Sequence, residues 1–408
     1  MRIIAIADSD SYLKWAAATL GALPTAADRE LLLVETPVLP SETQRRAALA
    51  VGGMDPSRLV CLPLTGVVER IRRERPDAVL VAVRGPVAAV LIRLIAELPD
   101  RPVIVTGLPG ISIPATRKAL AFRRQADLFL LHSRREIRDF TRLSRVHGWT
   151  HRFALASLPF LERRSGEPGD ALVFAAQAIV PREREDRLEV LRMLLAAARA
   201  DPARPVVIKI RARVGEQQTH AERDSYPELL DELAEQGVEI PANLRVSSEP
   251  MSSALDRAQG LLTVSSTAVI EAIARGIPVI VLDTFGVSDA LINPVFEHSG
   301  LFGGEDDVIA RRFRTPHPGW LDDNYSHAPE ADDWTRQLDA LVAARAQGVL
   351  PAREPVRASG GVLRRAWERK RAFGDSDRSV SGAVALAVGT PARATMVMAR
   401  RLARRYEG

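Results

Sequence analysis

Short β-branched apolar runs alternate with longer helical patterns through the first 160 residues, and the alternation restarts after a polar break. The predicted strands are Arg2–Ala7, Leu31–Glu35, Arg58–Leu62, Ala78–Val83, Pro102–Thr106 and Leu128–Leu131. Between them, helices are predicted over Ser11–Leu20, Val67–Glu74, Val87–Leu98, Ala115–Arg124 and Arg134–Val146. Apolar runs of about five to seven residues suit strands buried on both faces, and the helix-length spacers suit parallel crossovers. Right-handed crossovers then place helices on both sides of the sheet. Arg163-Arg-Ser-Gly-Glu-Pro-Gly-Asp170 reads as a linker. Beyond it, Ala171–Ala176, Pro205–Ile210 and Leu244–Val246 read as strands, with helices over Glu185–Ala200, Tyr226–Gln236 and Ser252–Gln259. Two successive α/β domains follow, at 1–162 and 171–345, with a basic helical tail at 346–408.

The unit Leu262–Asp283 carries the sharpest local signal. It reads as strand, hydroxyl-rich turn, amphipathic helix and second buried strand, with Gly276 ending the helix and Pro278 opening the strand. Ser265, Ser266 and Thr267 fall where strand hands over to helix, where unpaired backbone N–H groups and a partial positive charge suit a phosphate. An ordinary Ser/Thr helix cap would look the same. Lys209 and Arg211, at the end of another strand of this domain, point to the edge where open α/β sheets bind ligands. Cations there would offset the charge of a departing nucleotide. Gln177 and Arg182 occupy a further loop of that kind.

With these residues in view, the chain resembles glycosyltransferases of the GT-B type over roughly residues 1–340. The resemblance is clearest in Ala171–Gln177, Val206–Arg211 and Leu262–Asp283. It implies two Rossmann-like domains facing a cleft, the second holding a nucleotide-sugar and the first presenting the acceptor. Ser265-Ser266-Thr267 is similar to the paired Ser/Thr motif of bacterial sialyltransferases and capsule polysaccharide transferases, whose hydroxyls hold the donor phosphate. Where those families carry His-Pro, this chain has Lys209-Ile-Arg211. The resemblance also implies that Glu271, one turn into the helix, binds ribose, and that the donor is CMP- or UDP-linked.

On the acceptor side, Asp8-Ser9-Asp10 follows the first strand. A transferase that inverts its sugar needs a group to accept the acceptor's proton, and Asp8 or Asp10 fits by position. Capping of the following helix is the competing reading. His132, at the end of Leu128–Leu131, is a further candidate base or a satisfied structural histidine. Gly107 and Gly110, in Thr106-Gly-Leu-Pro-Gly-Ile-Ser112, would let the backbone approach a ligand.

Several classes drop out. There is no Gly-x-Gly-x-x-Gly after the first strand and no P-loop. One cysteine, Cys61, excludes an internal disulfide and a cysteine-based zinc cluster. No metal or cofactor is expected beyond the nucleotide-sugar substrate. No uncharged apolar run reaches about 18 residues, and the N-terminus reads as a strand rather than a secretory signal. A cytoplasmic protein is expected, peripheral on the inner face of the plasma membrane if its tail binds there.

That tail holds 13 Arg/Lys against 5 Asp/Glu over 353–408, which leaves the preceding residues at −3 within a chain of net +5. Val362–Arg371 and Pro391–Arg405 read as basic helices. They suit an anionic membrane surface, whereas thin aromatic interleaving argues against nucleic acid; packing back on the first domain is the third reading. The expected function is sugar transfer to a cell-surface glycan or glycolipid. The alternatives are a sugar-nucleotide 2-epimerase or hydrolase on the same scaffold, or a non-catalytic binding protein.

Overall fold

A computed structural model of the chain describes residues 1–158, 169–210, 224–356 and 361–389. β1 (Arg2–Ala7), β2 (Asp28–Val34), β3 (Val60–Leu62), β4 (Ala78–Ala82), β5 (Val103–Gly107), β6 (Leu128–Leu131) and β7 (Phe153–Leu155) form one sheet. Its order is β3-β2-β1-β4-β5-β6-β7, and neighbours run parallel. The period of two along a strand explains why its central strands are apolar throughout. Ile3, Ala5 and Ala7 of β1, with Ala78, Leu80 and Ala82 of β4, face the cluster built around Trp15. Ile4, Ile6, Val79 and Val81 face the opposite cluster, with Val87, Leu91 and Ile95. Alanines on one face leave room for the indole, and β-branched residues fill the other.

The second sheet comprises β8 (Ala171–Ala175), β9 (Val206–Lys209), β10 (Leu244–Ser247), β11 (Ala258–Thr263), β12 (Val279–Leu282) and β13 (Phe302–Gly303). Its order is β10-β9-β8-β11-β12-β13, again parallel. Leu172 and Phe174 face one cluster, Ala171, Val173 and Ala175 the other. In each sheet the strand order reverses once, between β1 and β4 and between β8 and β11. Ligands of open α/β sheets bind beyond the carboxyl ends of the strands at such reversals.

One boundary differs from the sequence reading, and the tail takes one of the courses it offered. Helix Trp334–Ala346, placed with the second domain by its position in the chain, instead buries Trp334, Leu338 and Leu341 in the first domain's core beside Trp15. The return is fixed by aspartates at its start: Asp333 Oδ1 accepts Leu155 N–H at 2.8 Å and Asp332 Oδ2 accepts Ser157 N–H at 2.8 Å. The tail also comes back. Helix Gly361–Phe373 lies along helix Gly85–Ala96, with Arg93 and Glu368 paired at 3.5 Å, and buries Phe373 and Ala372 in the first domain. The predicted helix at 391–405 and all but the last two residues of the predicted linker lie outside the described residues.

Candidate active site where the two sheets meet

The donor-side residues gather at the β8/β11 reversal. Gln177, just past β8, accepts Ser265 N–H on its Oε1 at 2.9 Å. Thr263 Oγ1 donates to Ala175 O at 3.0 Å and accepts Ser266 N–H at 3.3 Å, tying the turn to the neighbouring strand. Ser266 Oγ accepts Ala268 N–H at 3.2 Å, the first N–H of the helix Ala268–Ala274, whose N-cap position is Thr267. Ser265 is buried, and its hydroxyl donates to Ile292 O in the loop that follows β12. That loop is ordered by buried Asn293, which donates to Gly286 O and accepts Ser288 N–H, both at 3.0 Å.

The other donor-side residues are placed unequally. Lys209 closes β9 with its ammonium buried and donating to Ile210 O. Glu271 is half-buried in the first turn of its helix, and Arg182 is exposed on the loop after β8. Arg211 lies outside the described residues. One organiser of this side had no signal in the sequence. Arg187, a buried arginine within helix Arg184–Ala200, donates to Gln177 O at 3.1 Å, Ala178 O at 2.9 Å and Pro181 O at 2.9 Å. It thereby fixes the loop that presents Gln177.

At the β1/β4 reversal of the first sheet, Asp8 is fully buried at the end of β1. Its Oδ2 accepts Arg84 Nε–H at 2.8 Å, and its Oδ1 accepts Arg84 N–H at 3.1 Å and the Ser9 hydroxyl at 3.2 Å. Burial pushes the Asp8 carboxyl above the ordinary aspartate value, against the opposing pull of Arg84. The same guanidinium donates to Thr36 Oγ1 at 3.1 Å. Asp8 is thus the anchor of Arg84, with both oxygens engaged. Asp10 is half-buried in the first turn of helix Asp10–Gly21, whose N-cap is Ser9.

His132 is enclosed rather than presented. Its Nδ1–H donates to Ala156 O at 2.8 Å, and Nε2 accepts Trp15 Nε1–H at 2.9 Å, with Leu108 O also 3.0 Å from Nε2. Burial holds the ring neutral, pulling its pKa down to about 4. With both nitrogens committed, it supports Trp15 and is ill placed to take an acceptor's proton. Gly107 belongs to the same packing: a Cβ there would stand 2.5 Å from the Trp15 ring.

Glu136, which the sequence did not single out, is a buried carboxyl beside these groups. Its Oε1 accepts Ser112 N–H at 2.8 Å and the Tyr325 hydroxyl at 2.7 Å, and its Oε2 accepts His132 N–H at 2.8 Å. Burial pushes it up to about 7, against those hydrogen bonds. Helix Arg134–Val146 also reaches the second domain through Arg135, which donates to Pro294 O and Val295 O at 3.1 Å.

The loop after β5 joins the two sides. Ile113 is buried in the second domain's core, and a methyl at Gly110 would stand 3.3 Å from Thr267 Oγ1. The carboxyl edges of both sheets therefore converge, with Gly110 of one against the Ser265–Thr267 turn of the other. Among the described residues no three His, Cys, Asp or Glu side chains cluster as a metal site would require.

Two parallel α/β domains meeting at their carboxyl edges define the GT-B architecture. Solved structures similar to this chain include the UDP-GlcNAc 2-epimerase of Methanocaldococcus jannaschii in complex with UDP-GlcNAc and UDP, at TM-score 0.56 and 12% identity. That match covers 83% of this chain and 100% of that one. The S. aureus MnaA–UDP co-structure matches at TM-score 0.52 and 12% identity, over 88% and 100% of the two chains. Anabaena HepE in complex with UDP and glucose matches at 0.50 and 13%, over 86% and 99%. At such identities these likenesses show the fold. Among curated protein sequences none matches this one. The chain belongs, over residues 3–341, to the family described as "Putative glycosyltransferase (DUF6716)".

Proposed function

We propose that this protein transfers a sugar from a UDP- or CMP-linked donor to a glycan or lipid-linked acceptor used in cell-surface polysaccharide or glycolipid assembly. The observation that supports this reading is the approach of the loop after β5 to the turn after β11, where a Cβ at Gly110 would stand 3.3 Å from Thr267 Oγ1. Donor phosphate would lie against the Ser265–Thr267 turn, with Lys209 and Arg211 countering its charge and Glu271 on the ribose. Gln177 positions Ser265, and Arg182 borders the same edge. The acceptor hydroxyl would attack the anomeric carbon from the first-domain side as the bond to the nucleotide phosphate breaks. Its proton would pass to an acidic residue at the carboxyl end of β1, Asp8 or Asp10.

Epimerisation on the same scaffold has the structural likenesses in its favour. Inverting the sugar's C2 requires a base to remove a carbon-bound proton. The decisive test is a thermal-shift panel of UDP-, CMP-, GDP- and TDP-sugars. A donor at a hundredfold excess over its Kd should stabilise the protein by about 2.7 kcal/mol. Replacing Ser265 and Ser266 together by Ala should abolish the shift. A silent panel removes the donor reading, and an undiminished shift in the double variant removes the turn from it. Inversion at C2 of the sugar-nucleotide, or free sugar release, in the absence of acceptor would establish the epimerase or hydrolase instead.

A further inference from the structure

The described part of the tail forms a helical hairpin clamped to the first domain. Helix Gly361–Phe373 is followed by a second helix at 380–389, and the turn between them is locked by polar bonds. Arg369 donates to Asp377 Oδ2 at 3.0 Å and to the hydroxyls of Ser379 and Ser381 at 2.6 and 2.9 Å, while Lys370 donates to Asp377 O at 2.9 Å. At the far end Gly389 packs so tightly on Trp367 that a Cβ would stand 2.7 Å from its ring.

The second helix buries Gly382 and Ala385, and turns its larger apolar side chains outward. Val380, Val384 and Val388, at successive helical turns, are 79%, 51% and 55% exposed. Val362 and Leu363 of the first helix are exposed as well. From Ser379 to Gly389 no residue is charged, whereas exposed Arg364, Arg365, Arg371 and Arg378 flank the face. Over 361–389 there are six Arg/Lys against three Asp/Glu. Among the described residues no helix is long and apolar enough to cross a bilayer, which needs roughly 20 residues. Apolar side chains on one face and arginines around it are what an interfacial helix presents to anionic lipid. A second copy of the same hairpin would instead bring like charges together.

The hairpin also has a fixed relation to the candidate site. Gly374, at its turn, packs on Pro37, where a Cβ would stand 2.6 Å from the ring. Pro37 adjoins Thr36, whose hydroxyl accepts from Arg84 and donates to Asp8 O at 3.3 Å. We propose that the hairpin 361–389 seats the protein on an anionic bilayer and so brings the β1/β4 mouth to a lipid-borne acceptor. The second half of this statement rests on the transferase reading; the bilayer contact does not.

The test is flotation of the full chain with phosphatidylcholine vesicles, either neutral or containing about three parts in ten phosphatidylglycerol. The protein should float with the anionic vesicles alone and be released by salt. Val384→Asp/Val388→Asp should lower the bound fraction roughly tenfold or more while leaving the Tm unchanged. Wild-type protein that stays behind, or a double variant that floats like wild type, overturns the proposal. So does a dimer that the double variant dissociates, since a second copy would then cover the face. Flotation as expected together with a silent nucleotide panel would uphold the bilayer contact and overturn its link to an acceptor.

Discussion

Glu136→Gln should change stability in a way that reverses the usual behaviour of a buried acid partnered by hydrogen bonds. Burial pushes Glu136 up to about 7, from the ordinary glutamate value of 4.5. Between those two pH values the folded protein holds a proton that the unfolded chain has shed, so stability falls as pH rises through the interval. The span corresponds to about 3 kcal/mol at 1.36 kcal/mol per pH unit. His132 acts oppositely: held neutral to about 4 against 6.5 for a free imidazole, it adds stability as pH rises over its own interval. Where the two intervals overlap the slopes oppose, and the wild-type profile conceals both. Glutamine cannot accept on both sides, so at least one of Ser112 N–H, Tyr325 OH and His132 N–H loses its acceptor, costing about 1–3 kcal/mol. Denaturant titrations of both proteins from pH 5 to 7.5 should show the variant weaker at pH 5 and the gap closing by about 2 kcal/mol as pH rises. A constant gap would mean that Glu136 does not titrate in this range. A widening gap would mean that its three donors outweigh burial, and would refute the reasoning.

Two further substitutions probe the packing that supports the site. Gly107→Ala places a methyl 2.5 Å from a Trp15 ring that His132 holds in place, and should cost about 1–3 kcal/mol, read as a lowered Tm with altered tryptophan fluorescence. Asp127→Ala strips a fully buried carboxylate from Arg101, Arg353 and Ile104 N–H, and should cost about 3–5 kcal/mol. Proteolysis should then release the chain beyond Pro351, and an unchanged Tm would remove Asp127 as the tether.

The two-sheet architecture was legible because its signals are local. A strand buried on both faces needs an unbroken apolar run, and the spacing between runs dictates a parallel crossover. The runs became β1, β4, β5, β6, β8, β9 and β12 within a residue or two. β7 and β13, three and two residues long, were too short to leave a periodic trace. Helix Trp334–Ala346 was assigned by chain order to the wrong domain, because its partners around Trp15 lie some 300 positions away in the sequence. In the site, the sequence brought Gln177 and Ser265 to one edge by strand-end logic, and they are hydrogen-bonded there. It could not find Arg84, Glu136 or Arg187. Each is a charged residue in or beside a helix, ordinary in sequence, and what distinguishes it is tertiary burial among carbonyls or carboxylates.

That distribution of buried charge also separates two sides of the seam. Where the chain crosses between domains, polar contacts are dense: Arg135 on Pro294 O and Val295 O, Arg138 bidentate on Asp323 at 2.5 Å, Tyr325 on Glu136, and Asp332 on Ser157. At Gly110 and Thr267 the approach is a van der Waals contact between a glycine and a threonine side chain. Pulling apart the first side would strip buried groups such as Glu136 of their partners at once, and opening beside Gly110 would also draw Ile113 out of the second domain's core. The seam where the carboxyl edges of β5 and β11 converge is the side that the proposed donor and acceptor would have to enter.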